Sequence, residues 1–154
     1  MASKYAATTT VSIGNSRNEI ETTLTKHGAS DIVFGTIRGH VVIGFEHSGR
    51  QVRYAVPLPD ATRPDFTRTP TGLVRSPAEA KKVHDQAIRS TWRAMGAVIK
   101  AKFIAIDARV STFEAEWGWS IVLPDGQTVG STVAPAVERA YQGGAVSPAL
   151  GIEG

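Results

Sequence analysis

The hydrophobic positions of this chain change rhythm three times. Near the start the rhythm is helical, with Ile20 and Leu24 at i, i+4 after Ser16 and Glu19 in the S-x-x-E relation of a capping box. Gly28 closes the pattern as a left-handed C-cap, which predicts a short amphipathic helix. Upstream, Thr8 to Ile13 is β-branched until Gly14 and Asn15 end the run, so residues 1–14 read as a loose arm or an edge strand.

From Asp31 to Pro57 the period is two. Ile32, Phe34 and Thr36 alternate with Val33, Gly35 and Ile37; Val41, Ile43 and Phe45 form one face of the next run, and Val52, Tyr54 and Val56 one face of the third. Arg38-Gly39 and Ser48-Gly49 separate the runs, so the pattern predicts a three-stranded antiparallel meander with one face covered by another part of the chain. Residues 57–76 then hold Pro57, Pro59, Pro64 and Pro70 with Arg63, Arg68 and Arg75, which reads as an extended loop or mobile linker. A loop of this length within a domain is more often functional or disordered than merely connecting.

The helical rhythm returns after Ser76-Pro77 and Glu79, a cap, a first-turn proline and a capping-box acid. Ile88, Trp92, Met95, Ile99, Phe103, Ile106 and Val110 follow as one stripe, predicting a helix to roughly Arg109 and about 50 Å long at 1.5 Å per residue. Ser111 and Glu114 cap a shorter helix through Phe113, Trp117 and Ile121. Leu123-Pro124-Asp125-Gly126 is a turn, and Thr128 to Gln142 carries a last helical pattern before Gly143-Gly144. Residues 144–154 read as a loose tail. The order predicts an α+β fold: a short N-terminal helix, a three-stranded antiparallel meander, a long amphipathic helix and short C-terminal helices. With 154 residues, 42% of them hydrophobic, the chain has room for a single domain with a real core.

Charge sharpens this picture through its distribution. The net +3 is too small to identify a nucleic-acid binder, but residues 50–109 hold twelve basic and five acidic side chains, whereas residues 111–154 hold one and five. Lys82, Arg89, Arg93 and Lys100 return to one face of the long helix at spacings of seven, four and seven. Together with Arg53 on the sheet and Arg63, Arg68 and Arg75 in the loop, they compose a candidate phosphate-binding groove. Tyr54 is the candidate stacking aromatic, while Trp92, on the apolar stripe, belongs to the core. The plainer alternative is that these charges only solvate an exposed helix face. The chain has no cysteine, which excludes disulfides and thiolate metal sites, and no apolar run long enough for a secretion signal or membrane span, so a cytoplasmic location is expected.

Enzymatic readings find less support. Asp107, Glu114 and Glu116 are close in sequence, but helical geometry sets Glu114 and Glu116 about 200° apart, and the four histidines are scattered. No nucleophile elbow, dinucleotide fingerprint or P-loop occurs. Neither a cofactor, a metal nor a catalytic residue is expected, and a small magnesium-dependent nuclease using Asp107 or Glu114 is the lesser alternative. Trp117 and Trp119 flank a glycine and are open to packing or to an interface role.

The stretch beginning WRAMGAVIKAKFIAID at Trp92 and continuing through FEAEWGWSIVLPDGQTVG to ERAYQGG, with the earlier VRYAVPLPD, resembles a group of small proteins carried by bacteriophages, particularly those of actinobacteria. The resemblance covers about two thirds of the chain, implies a phage protein working in the host cytoplasm, and brings no catalytic residues. The chain departs from the group between Val146 and Leu150, where an MPxLL-like segment is expected. The order helix, meander, basic loop, long helix also resembles the core of Rad52-like and RecT-like single-strand annealing proteins. That likeness implies single-stranded DNA as partner, a basic groove between meander and helix, and homo-oligomeric rings or filaments. The function expected is non-enzymatic binding of single-stranded DNA with annealing in recombination. The alternative is a phage accessory or anti-defence protein that binds a host protein or sequesters a small phosphorylated ligand.

Overall fold

The computed structural model describes residues 5–144 and has the predicted α+β order. Helix α1 (Ile13–Lys26) begins earlier than the capping box at Ser16 predicts. Ser12 is the cap, its hydroxyl accepting the Asn15 amide at 3.1 Å. Ser16 instead lies inside the helix on the buried face with Ile20 and Leu24, and its Oγ has no hydrogen-bond partner. Both serines have cap chemistry; the one upstream of Gly14 takes the role because the helix runs through Gly14 and Asn15. At the other end Gly28 (φ +90°) is the left-handed residue predicted, with the Ala29 amide donating to the Leu24 carbonyl and the Gly28 amide to that of Thr25.

Residues 9–12 do not form the edge strand that Thr8 to Ile13 suggests. The segment runs along the long helix, where the Gln86 side-chain amide donates to the Ala7 and Thr9 carbonyls and Ser90 Oγ to the Ala6 carbonyl at 2.8 Å. Side-chain donors thus replace the ladder partners that a strand would need.

The meander is β1 (Ser30–Ile37), β2 (His40–His47) and β3 (Arg50–Pro57), in order β1-β2-β3 and antiparallel throughout. Arg38-Gly39 and Ser48-Gly49 both have two successive positive φ values, +49° and +75°, then +51° and +74°. Such two-residue turns match the right-handed twist of the strands they join. Register sets Phe34, Ile43 and Tyr54 side by side, and Thr36, Val41 and Val56 beside them, on the inner face. A bulge lies between Ser30 and Val33, with Asp31 at φ +51°.

Helix α3 (Pro77–Asp107) spans that inner face and carries Trp92, Met95, Ile99 and Phe103 into the core. Ser76 caps it, accepting the Glu79 amide, and Pro77 starts it. Its core partners are Val41, Ile43, Phe45 and Val52 of the sheet and Ile20 and Leu24 of α1. Gly96 faces α1, where a Cβ would make an ordinary contact with Ile20 Cγ1 at 3.6 Å. The loop before α3 is more ordered than its prolines suggest. It contains α2 (Pro64–Thr67), and Phe66, 4% exposed, packs edge-on against His84 of α3, whose ring nitrogen bonds the Pro59 carbonyl at 2.7 Å.

After α3 the chain turns through α4 (Phe113–Trp117), capped by Thr112 rather than Ser111, into one 3-10 turn at Gly118–Ser120. Trp117 is fully buried and meets Phe45 and Tyr54 edge-on. Ile121 is not helical; it bridges Val52, and the Val122 amide donates to the Gln51 carbonyl, so this segment borders the free edge of β3. Helix α5 (Val129–Gly143), capped by Thr128, packs on the 3-10 turn at its first residues and then leaves the body. The expected tail from residue 145 on lies outside the described residues. No helix among the described residues is long and apolar enough to cross a membrane.

Candidate functional site

A groove of about 1300 Å³ opens between α3, the inner end of β3 and the loop after it. Its position follows from lengths: α3 has 31 residues, far more than eight-residue strands can cover, so its N-terminal half projects beyond the sheet. The loop at 58–69 and residues 5–7 wall that projecting half. The floor is apolar, with Val56, Leu58, Val83, Ala87, Ala94 and Val98 among its lining.

Of the nine residues expected in a basic groove, the fold gathers five here: Tyr54, Arg63, Arg75, Lys82 and Arg89. Tyr54 is half-buried, edge-on to Trp117 at 5.7 Å between centroids, and burial pushes its phenol above the usual value of 10.0. Lys82 has no hydrogen-bond or ion-pair partner among the described residues, so its ammonium is available. Arg89 is held by the Gln86 side-chain carbonyl, with Nε at 3.2 Å. Arg75 donates through Nε to the Arg68 carbonyl at 3.1 Å, which orients its guanidinium. Arg63 is already engaged, in a two-pronged pair with Asp65 (3.1 and 2.6 Å) and over the Phe66 ring at 4.9 Å.

The other four lie elsewhere. Arg53 points from the outer sheet face and donates to the Gly126 carbonyl, because odd positions of β3 face away from α3. Arg68 closes its own loop on the Gly72 carbonyl at 3.1 Å. Arg93 shares a helix face with Lys82 and Arg89, but α1 packs against that stretch and Glu19 takes its guanidinium at 2.5 Å. Lys100 continues along the same face past the groove, without a partner among the described residues. The helix period therefore reads correctly, while the sheet, loop and α1 divide the basic set.

The groove also has acids that the charge count overlooks. Asp60, Asp65 and Glu79 line it. The Thr62 amide and hydroxyl hold Asp60 below the usual carboxylate range. Outside it, the Lys81 ammonium holds Asp85 down in the same way. What sequence reasoning missed is the apolar share of the floor: Val83, Ala87, Ala94 and Val98 lie off the main stripe of α3 and form a second, weaker one. Their spacing of four, seven and four is the signal that would have found it.

Of the three carboxylates considered for metal chemistry, Asp107 and Glu116 are engaged and the exposed Glu114 side chain has no partner among the described residues. Asp107 meets His27 Nδ1 at 3.3 Å, Glu116 accepts from Ser111 Oγ, and no cluster of three metal-ligating side chains occurs among the described residues. The tryptophan pair splits, with Trp117 in the core and Trp119 57% exposed beside Gly130. Compared with protein-family models, curated proteins and solved structures, the chain matches none.

Proposed function

We propose that the chain is a non-enzymatic phage protein that binds single-stranded DNA in this groove and promotes annealing during recombination in the host cytoplasm. The observation that carries the reading is the pairing of an apolar floor and Tyr54 with the cations Arg75, Lys82 and Arg89 along the lining of one groove. Unstacked bases present apolar faces to such a floor while their phosphates remain at those cations, where charge release drives binding. Tyr54 is the residue on which a base stacks. Lys82 and Arg89, seven apart on α3, lie about 10 Å from each other along the axis, a distance within reach of neighbouring phosphates.

The test is a salt titration of oligonucleotide affinity. Binding is expected to weaken steeply with salt, and Lys82→Ala with Arg89→Ala to reduce the slope by about 1.4, from about 0.7 per phosphate contact on a single strand. Lys100→Ala leaves it unchanged. A flat salt dependence in the wild type rejects the reading. The acids in the groove favour a second reading, a small phosphorylated ligand with an apolar body, because Asp60, Asp65 and Glu79 limit how much polyanion the site attracts. Affinity that does not grow with oligonucleotide length, at one nucleotide-sized ligand per chain, selects it.

A further inference from the structure

The sheet face turned away from α3 remains bare after the groove is assigned. It shows Val33 and Ile37 at 64% and 58% exposure. Register sets Gly35, Val42 and Ala55 in one cross-strand row and Val33, Gly44 and Arg53 in the next. A Cβ built on Gly35 meets nothing within 4 Å, so the β1 side of this face is open between Val33 and Ile37.

Helix α5 lacks a cover too. Its 15 residues include Pro135, which removes an amide from the helix interior, and Gly130 and Gly143. An isolated helix of that length is marginal in water even without proline. Its stripe Val133, Val137 and Tyr141 becomes more exposed along its length, at 37%, 44% and 66%, as it leaves the body.

We infer that α5 lies across the outer sheet face of a second copy of this chain, the two copies exchanging helices about a two-fold axis. The starting point of α5 favours a second copy as occupant. Gly130 and Ser131 share a cleft with Arg53 and Ala55, so the helix is launched from the border of that very face and then departs from it. A neighbour launches its own helix from the equivalent border, and a two-fold exchange covers both faces and closes the assembly. The polar ends of the two surfaces are set for opposite charges: Glu138, which accepts from Gln142 at 3.0 Å, follows Val137 on α5, and Arg38, whose side chain has no partner among the described residues, stands beside Ile37 at the end of the face away from Glu46. Arg139 falls on the opposite side of α5 from Val137 and stays in water.

The experiment needs no DNA, so it succeeds or fails independently of the proposed function. Sedimentation equilibrium of the wild type is expected to give twice the chain mass. Val33→Glu and Val137→Glu, both at exposed positions, are each expected to return one-chain mass, with a loss of helical circular dichroism no larger than the 15 residues of α5 and an unchanged urea midpoint of the body. Because the chain has no cysteine, Ile37→Cys and Val137→Cys chains can be mixed and oxidised, and a cross-link between the two species is expected. A wild type of one-chain mass overturns the inference, as does a dimer that survives both glutamates. A link within one chain of the Ile37→Cys/Val137→Cys double variant also overturns it, since α5 then covers its own sheet.

Discussion

Helices α3 and α5 carry the same kind of message in sequence and meet opposite fates. Both start at a Ser or Thr cap and both have an apolar stripe at helical spacing. In α3 the stripe meets a sheet and α1, and Trp92, Met95, Ile99 and Phe103 are buried. In α5 only Gly130 is buried, and the stripe faces open space. A stripe therefore states that a helix needs a partner surface, and only the fold states whether the same chain supplies it.

The widest gap between the two helices is in the energy of their apolar side chains. Phe103→Ala is expected to cost about 3–5 kcal/mol in urea unfolding, as core aromatic truncations do. Val137→Ala, measured at a concentration where single chains predominate, is expected to cost under about 0.5 kcal/mol. Equal losses would mean that α5 belongs to the body. Caps should divide in the same way. Ser76→Ala removes a cap from a helix that unfolds with the core and costs about 1 kcal/mol of global stability, whereas Thr128→Ala lowers helix content with little shift of the urea midpoint.

An effect of similar size tests the body alone, through its sign. Ser12→Ala is expected to destabilise by about 1 kcal/mol, while Ser16→Ala is expected to stabilise by up to about 1 kcal/mol, because it removes a buried hydroxyl without a partner. The reverse result would restore Ser16 as the cap.

The smallest expected effect concerns Tyr54, whose phenol burial holds neutral. Its folded-state pKa is raised, so its contribution is complete below pH 10 and is lost as pH rises through the folded-state value. Urea midpoints measured from pH 9 to 11.5 should therefore fall more in the wild type than in Tyr54→Phe. Parallel curves would place Tyr54 in water.

Much of the body is legible from the sequence because local rules and burial agree there. The Arg38-Gly39 and Ser48-Gly49 turns, the inward positions of β2 and the Ser76-Pro77 start each carry their own physical reason and stand where those reasons put them. The errors occur where two local solutions compete. Ser12 and Ser16 are both able to cap, and the β-branched run Thr8 to Ile13 suits a strand until Gln86 and Ser90 offer it donors. The candidate site was half legible for a related reason. Helical period correctly placed Lys82, Arg89, Arg93 and Lys100 on one face, but nothing local indicates that Glu19 reaches Arg93 or that Arg53 turns outward to Gly126. Those contacts join residues about 73 positions apart in sequence.

The two hairpin turns also set a timetable for folding. Every strand pair in the sheet is joined by two residues, so its contacts close over short loops, at the microsecond pace of isolated hairpins. The Val52–Ile121 bridge closes a far longer loop, with the whole of α3 inside it. On the ribosome the meander can therefore be complete while its border at Ile121, and the arm beyond it, have yet to emerge. During that interval the edge of β3 that Ile121 later borders is open to pairing.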